Sequence, residues 1–581
     1  MITPMKKVLL AGRLVDRETV LETLHEAGML HVEPVHPELV VVSPALVDQI
    51  TRVAKALEII KAVKPTADDT AAAGNPAEWV NQVHQITEQL SSYEEEKSEI
   101  QREMKRVSPW GRSDRDALHS LRQSGLHVEF LLSPEGSEDS IQAEVRQIIA
   151  KQEGVLYLVA VSRRPISAGP KATRIPEPSR DMVELESDLA SLLARERRGE
   201  EGLRHLALRR AEIQAYWQEL EEQKRFSEVE LSLMQAGPIF VLRGWVPQDE
   251  ASHLGDRLAR SGLAVGLQVT DPTAEDLPPT KLQNPWWCRP IECLYGVLGI
   301  TPGYRESDIS PLFLPFLTIF TAMLFADAGY GLVGLTALIV AYGTLTRNGV
   351  PKQFVHLFMV LFSGSVVYGV LTNAYFGEPL LRLTSFNAFA ANGEMFLKKF
   401  CFFLGAIHIS LGHLWKIRRN PIGLASLSEV GWILFAWGVY TLVTVLVLGD
   451  PQPAWMLPMF GIALALILFF TAPSWNIFLA VARGLGATAL SATAFFSDII
   501  SYIRLWAVGL ASGILAASFN ELASPLPLVV AAVLLVAAHG LNIGLCLVAV
   551  FAHGVRLNLL EFCNHVGVEW SGQEYQPFRK G

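Results

Sequence analysis

Residues 495–512 read Phe495-Phe-Ser-Asp498-Ile-Ile-Ser-Tyr502-Ile-Arg504-Leu-Trp506-Ala-Val-Gly-Leu-Ala-Ser512. The stretch lies inside the apolar run 485–520, yet it carries Asp498 and Arg504. A charged side chain at bilayer depth costs at least ~2.5–3.5 kcal/mol on insertion scales, so it faces a partner or water. Arginine cannot lose its proton at any ordinary pH. A fixed positive charge in a membrane helix is therefore a device for discharging a carboxylate that passes it. The rest of the chain must supply the machine around that charge.

The composition divides the chain in two. Up to Asp308 there are 36 Lys+Arg against 48 Asp+Glu; beyond it there are 13 against 10, in a chain that is 50% hydrophobic. The first part reads as soluble and the second as membrane-embedded. Lys6 and Lys7 precede an apolar run too short for a signal segment, so the soluble part is expected to stay in the cytoplasm. Cys288, Cys293, Cys401, Cys546 and Cys563 form no CxxC and no zinc spacing; free thiols and no metal site are expected.

Taken in order, residues 1–43 read strand (Lys6 to Leu10), helix (Arg17 to Ala27) and strand (Leu30 to Val35), with Gly28 stopping the helix. From Leu46 the apolar residues step by four and three. After a Pro/Ala/Gly-rich break around 64–76 the same stepping runs from Trp79 through Leu90, Lys97 and Ile100 to Val107, a heptad seam. Its partner is 180–234, where Glu196, Gly199 and Arg210 interrupt the seam and bend it. Between these arms, residues 108–179 read as a small lobe with strands Leu126 to Leu132 and Val155 to Val161 around a helix. Strands Ile239 to Val246 and Leu263 to Val269, around a helix from Asp249 to Ser261, would complete the first lobe, giving 1–43 plus 237–300. The expected fold is an α+β cytoplasmic domain of two small lobes joined by an antiparallel coiled coil (44–107 with 180–234), within 1–308. An all-α membrane domain, 309–581, follows.

Eight spans are expected, near 310–326, 327–346, 354–374, 397–417, 428–448, 454–475, 485–520 and 526–562. An even number returns the C-terminus to the cytoplasmic side. Arg347, Lys352, Lys416, Arg418, Arg419, Arg483, Arg579 and Lys580 then fall inside, as the positive-inside rule requires, while Lys398 and Lys399 fall against it. The last two spans are too long to stand upright in a ~30 Å core. Arg504 lies on the seventh and Arg556 on the eighth.

Ser497-Asp-Ile-Ile-Ser-Tyr-Ile-Arg504-Leu-Trp-Ala507 resembles the seventh membrane helix of the V-type and A-type rotary ATPase stator subunit, called subunit I in bacteria and archaea and subunit a in eukaryotes. His539-Gly-Leu-Asn542-Ile-Gly544, His553-Gly-Val-Arg556-Leu557 and Glu561-Phe562 resemble its eighth. Asp327-Ala-Gly-Tyr-Gly331, Tyr375-Phe-Gly-Glu378 and Arg243-Gly-Trp-Val-Pro247 resemble further family patterns, so the likeness covers the whole chain. It implies a static subunit of a prokaryotic cell membrane that anchors peripheral stalks of E/G type through its two lobes. It also implies contact with a central-stalk membrane adaptor and an ion path beside a rotating proteolipid ring. No Walker A pattern occurs, so ATP is expected to be handled by other chains, and neither a cofactor nor nucleic acid is expected.

By position, Arg504 and Arg556 match the family's two membrane arginines. Asp498 and Glu561 either line the cytoplasmic half-channel, or pair with an arginine or cap a helix end. His408 and His413 read as packing residues or channel lining. Glu378 reads as an ion-admitting carboxylate at the outer mouth or an interfacial charge, and Asp327 as structural. His539 and Asn542 lie toward the outer side. The resemblance departs where eukaryotic members carry a histidine and a glutamate: these positions are Ser512 and Cys546 here, which leaves the outer half-channel unassigned. Ala326 replaces the glycine usual before the aspartate. The competing readings are a stand-alone secondary transporter with a cytoplasmic regulatory domain, which would show inverted repeats, and a scaffold without an ion path.

Overall fold

A computed structural model describes the chain except residues 35–39, 66–73, 112–114, 153, 169, 178–179, 380–390, 420–422, 424–425, 472–484, 486–490 and 581. Arg483 and parts of the spans expected at 454–475 and 485–520 therefore lie outside the described residues. The chain forms two compact units, Met1–Glu33 with Gln235–Arg579, and Pro34–Met234 with Lys580–Gly581.

In the first unit, strands from both sides of the intervening 200-odd residues pair antiparallel in the order His31–Glu33, Ile239–Pro247, Met5–Arg13, Val265–Thr270. Alternation sets the buried face: Val8 and Leu10 on one strand and Phe240 and Leu242 on its neighbour lie on one face, with helices Arg17–Ala27 and Ala251–Arg260 packed in the same lobe. The Arg243–Pro247 motif has a local role here. Arg243 Nη2 and Trp245 Nε1 both donate to Glu33, at 3.1 and 2.8 Å, while Gly244 lets His31 O approach where a Cβ would sit 2.5 Å away.

The second unit pairs helix Pro76–Val107 with Met182–Ala207, and Pro44–Ala62 with Arg210–Leu231. Asn75 caps one start, and Asp181 with Glu184 forms a capping box at another. Each such cap contributes about 1 kcal/mol. Two interruptions expected in the seam prove to be fitted. Lys97 Nζ lies 3.0 Å from Glu196 Oε1, and Gly199 makes room for Leu90, whose Cδ2 would be 3.0 Å from an added Cβ. The helical arm breaks at Leu208–Arg209. The small lobe differs from expectation: the segment between its two expected strands is itself a strand, Val145–Gln152. The sheet order is Val145–Gln152, Val155–Ser162, His127–Pro134, Thr173–Ile175. Its helix, Arg115–Gln123, precedes the sheet. Val145, Ile148 and Ile149 supply β-branched residues and Gly154, at φ 78°, the hairpin turn, which overrides the helical reading.

The remainder of the first unit is helical and apolar. Among the described residues, six helices are long and apolar enough to cross a membrane: Ala328–Arg347, Lys352–Thr372, Gly393–Arg419, Ser426–Leu448, Ser491–Ala523 and Leu528–Val566. Ser310–Phe325 and Met456–Phe470 are apolar but shorter. The last two long helices hold 33 and 39 residues. At 1.5 Å per residue they measure ~50 and ~58 Å, well beyond a ~30 Å core, so they must tilt. Ser310–Phe325 lies at the centre, with Phe313, Leu317, Phe320 and Leu324 packed against Tyr502, Leu505 and Phe562. Gly509 permits this closeness, since a Cβ there would meet Met323 O at 2.2 Å.

Candidate functional site

Both arginine helices depart from regular α geometry where their charges sit. Arg504 Nε donates to Ser501 O at 3.0 Å, taking the carbonyl that Leu505 N–H would normally use; Leu505 N–H bonds Tyr502 O instead, at 3.1 Å. The helix tightens by one turn there. On the other helix, Val550–Val555 and Leu557–Phe562 are π-helical, and Asn558 Nδ2 draws on Gly554 O at 3.1 Å. In an α-helix residues five apart diverge by about 140°. The wider π turn brings Arg556 and Glu561, five apart, to one face.

Three charges thereby converge. Glu561, 4% exposed, places Oε1 2.9 Å from Arg504 Nη2 and 4.0 Å from Arg556 Nε. Glu561 thus pairs with both arginines, one of the roles open to it on sequence grounds beside channel lining and helix capping. Asp498 takes a different partner: its Oδ2 lies 3.0 Å from His565 Nε2. From there a chain of titratable groups continues, His565 Nδ1 to His413 Nε2 at 3.3 Å and His413 Nδ1 to Glu429 Oε2 at 2.6 Å. His413 thus belongs to a polar chain across four helices. His408, fully buried, is stacked between Phe316 and Phe562 at 3.9 and 4.2 Å, with Nδ1 2.8 Å from Tyr502 OH.

A second polar cluster joins the two arginine helices farther along. Ser512 Oγ meets Cys546 Sγ at 3.1 Å, so the two positions that depart from the eukaryotic pattern face one another. Asn542 Nδ2 donates to Ser512 O at 3.0 Å and to Tyr330 OH at 2.9 Å. Tyr330 OH lies 2.8 Å from His539 Nδ1, and His539 Nε2 3.1 Å from Asn520 Oδ1. Asp327 anchors Tyr330 by accepting from its N–H at 3.0 Å as N-cap and from Gly377 N–H at 2.8 Å. Glu378 stays apart, exposed in the tight turn Tyr375 to Glu378.

Five residues that the sequence does not single out as site candidates belong to these clusters: His565, Glu429, Tyr502, Tyr330 and Asn520. Glu429, a carboxylate in the first turn of an apolar helix, carried the same signal as Asp498. Tyr330 sat inside a quoted motif. His565 and Asn520 gave no signal, because only the fold opposes them to partners far away in sequence.

No family model matches the chain. Subunit I 1 of the V-type ATP synthase of Treponema pallidum (strain Nichols) is 30% identical over 637 residues, covering 100% of both chains. Subunit I of the V-type ATP synthase of Borreliella burgdorferi is 27% identical over 615 residues, again covering 100% of both. A crystal structure described as the cytoplasmic N-terminal domain of subunit I, homolog of subunit a, of V-ATPase covers 45% of this chain and 99% of its own at 16% identity; its TM-score of 0.22 adds nothing on the fold. With full-length relatives of this kind and, among the described residues, six helices long and apolar enough to span a bilayer, the chain belongs to the V-type ATP synthase subunit I family, the multi-pass membrane subunit of a rotary ATPase.

Proposed function

We propose that this chain is the stator that carries ions past a rotating proteolipid ring, with Arg504 and Arg556 as the discharging charges. A ring carboxylate crosses lipid in its neutral, ion-loaded form. Beside guanidinium its ionised form is favoured, so the ion leaves. The observation that carries the reading is the cluster of Arg504, Glu561 and Arg556 on the two longest apolar helices. Glu561 holds the pair of arginines in register until a ring carboxylate takes its place.

Asp498, His565, His413 and Glu429 form the cytoplasmic half-channel in this reading, each imidazole accepting a proton on one nitrogen and releasing one from the other. Their position at the end where the Arg556 helix leaves for the N-terminal lobe supports that side: Phe578 N–H donates to Leu30 O at 2.8 Å. Tyr330, His539, Asn542, Ser512, Cys546 and Asn520 form the outer half-channel, one built from neutral groups, with Glu378 at its mouth and His408 as a packing residue. The two shorter apolar helices complete eight crossings, with both termini cytoplasmic. Residues 1–308 form the cytoplasmic domain, in which the paired arms of the second unit act as a coiled coil. The two lobes hold E/G-type peripheral stalks against torque, and the central-stalk adaptor meets the ring side. The ion is H⁺ or Na⁺, moved with ATP hydrolysis or synthesis on other chains.

Asp498→Ala and His413→Gln test this in the reconstituted complex. Assembly and ATP hydrolysis should persist while ATP-driven ion uptake into vesicles is lost. Uptake at the wild-type rate in both variants removes the inner path.

A further inference from the structure

A cavity of about 590 Å³ opens among helices Ser310–Phe325, Lys352–Thr372 and Ala391–Arg419. Its walls are apolar, and the two threonine hydroxyls among them are satisfied within their own helices: Thr318 donates to Leu314 O at 2.8 Å and Thr372 to Tyr368 O at 2.9 Å. Water needs two to four polar partners to occupy such a space, and beyond the single Tyr368 hydroxyl the lining offers no free polar side chain. Val367 and Leu371, 60% and 55% exposed, form its open rim on a helix long and apolar enough to span a bilayer. A narrower cleft continues from it past Tyr368, Thr372 and Leu397 to Trp506 and Gly509 on the Arg504 helix. Lys398 touches the Trp506 that lines this cleft, its Nζ 4.2 Å from the ring centroid, with Glu394 at 3.5 Å.

We propose that the cavity holds one acyl chain of a membrane phospholipid whose phosphate lies against Lys398. Three observations converge on that occupant. The volume falls in the range of built small-molecule sites, the walls ask for an apolar guest, and the cation at the cleft matches an anionic headgroup. A lysine at this depth is costly unless it reaches an anion or an aromatic face, and a lipid phosphate supplies the anion that Glu394 at 3.5 Å supplies weakly. The site abuts the helix that carries Arg504, so the lipid forms part of the wall that keeps Trp506 and Gly509 in place.

The test is phospholipid retention by the complex, purified in mild detergent and washed in excess detergent, counted per copy of this chain by mass spectrometry. Wild type should keep about one phospholipid that Leu371→Trp, which fills the rim, reduces several-fold; Lys398→Gln should also lower retention several-fold with assembly unchanged. Equal retention in wild type and Leu371→Trp overturns the site. Loss in Leu371→Trp with full retention in Lys398→Gln overturns the headgroup contact. A disulfide between Val367→Cys and a cysteine on a proteolipid helix would show a ring helix seated there instead, and would overturn the lipid.

Discussion

Replacing Glu561 removes the counter-charge that two arginines share, and the geometry sets how much should be lost. Breaking a buried ion pair by truncating one partner costs about 3–5 kcal/mol, because the other charge stays behind unpaired. Glu561 is 5% exposed at its side chain, but Arg504 is 26% exposed and Arg556 53% exposed, so water screens part of the loss. Glu561→Ala should therefore fall at about 3 kcal/mol, the bottom of that range. Glu561→Gln keeps an oxygen able to accept from Arg504 Nη2 and loses only the charge assistance. The difference between a charged and a neutral hydrogen bond puts it at about 1 kcal/mol. The assay is the thermal unfolding midpoint of the purified complex, followed by tryptophan fluorescence. The expected order is wild type, Glu561→Gln, Glu561→Ala. In the double mutant with Arg504→Ala the losses should be less than additive. If Glu561→Ala is as stable as wild type, or if the double mutant is fully additive, the three-charge cluster does not hold these helices together.

Three further outcomes follow from local geometry. Asp327→Ala removes an N-cap and leaves the Gly377 N–H buried without its acceptor, together about 2–4 kcal/mol in unfolding free energy; Asp327→Asn, which keeps an acceptor, should lose less than half of that, and equal losses would point to the charge instead. Ala326 holds a left-handed backbone at φ 50°, a strain of about 1–2 kcal/mol for a residue with a Cβ; after the entropy that glycine loses on folding, Ala326→Gly should gain about 0.5–1 kcal/mol, and a loss would refute the strain. The hydrogen-bonded Lys97 ammonium holds the Glu196 carboxyl below its ordinary value, and Glu196 in turn raises Lys97. The carboxyl's contribution is thus complete above the ordinary glutamate pKa of about 4.3 and fades as pH falls through the folded value, while that of Lys97 fades as pH rises past about 10.4. Hydrogen exchange of helix Met182–Ala207, corrected for intrinsic rates, should accelerate from pH 7 to pH 3 in wild type and show a smaller change in Glu196→Gln.

Much of this protein was legible without coordinates. The change in charge density near Asp308, the apolar runs, the strand–helix–strand pattern at the N-terminus and the two overlong arginine helices are all one-dimensional signals. Hydrophobic periodicity and the cost of charge in lipid act locally along the chain, so the sequence alone determined the highly charged α/β part, the apolar helical part and the two arginines. The strand Val145–Gln152 was lost because a short apolar run reads alike as helix or strand until its sheet partners are known.

The surroundings of the arginines were a different matter. Glu561 could have lined a channel or paired, and nothing in its neighbours chooses; the π turns at Val550–Phe562 decide by rotating it onto the face of Arg556 and toward Arg504. Ser512 and Cys546, 34 residues apart, read separately as two missing groups, while the packed helices bring them to 3.1 Å. The chain Asp498, His565, His413, Glu429 spans four helices and exists only once those helices pack. Sequence determines which residues are too costly to leave alone in a membrane; tertiary structure decides which partner each one finds, because a hydrogen bond depends on distances of 3 Å that no spacing along the chain prescribes.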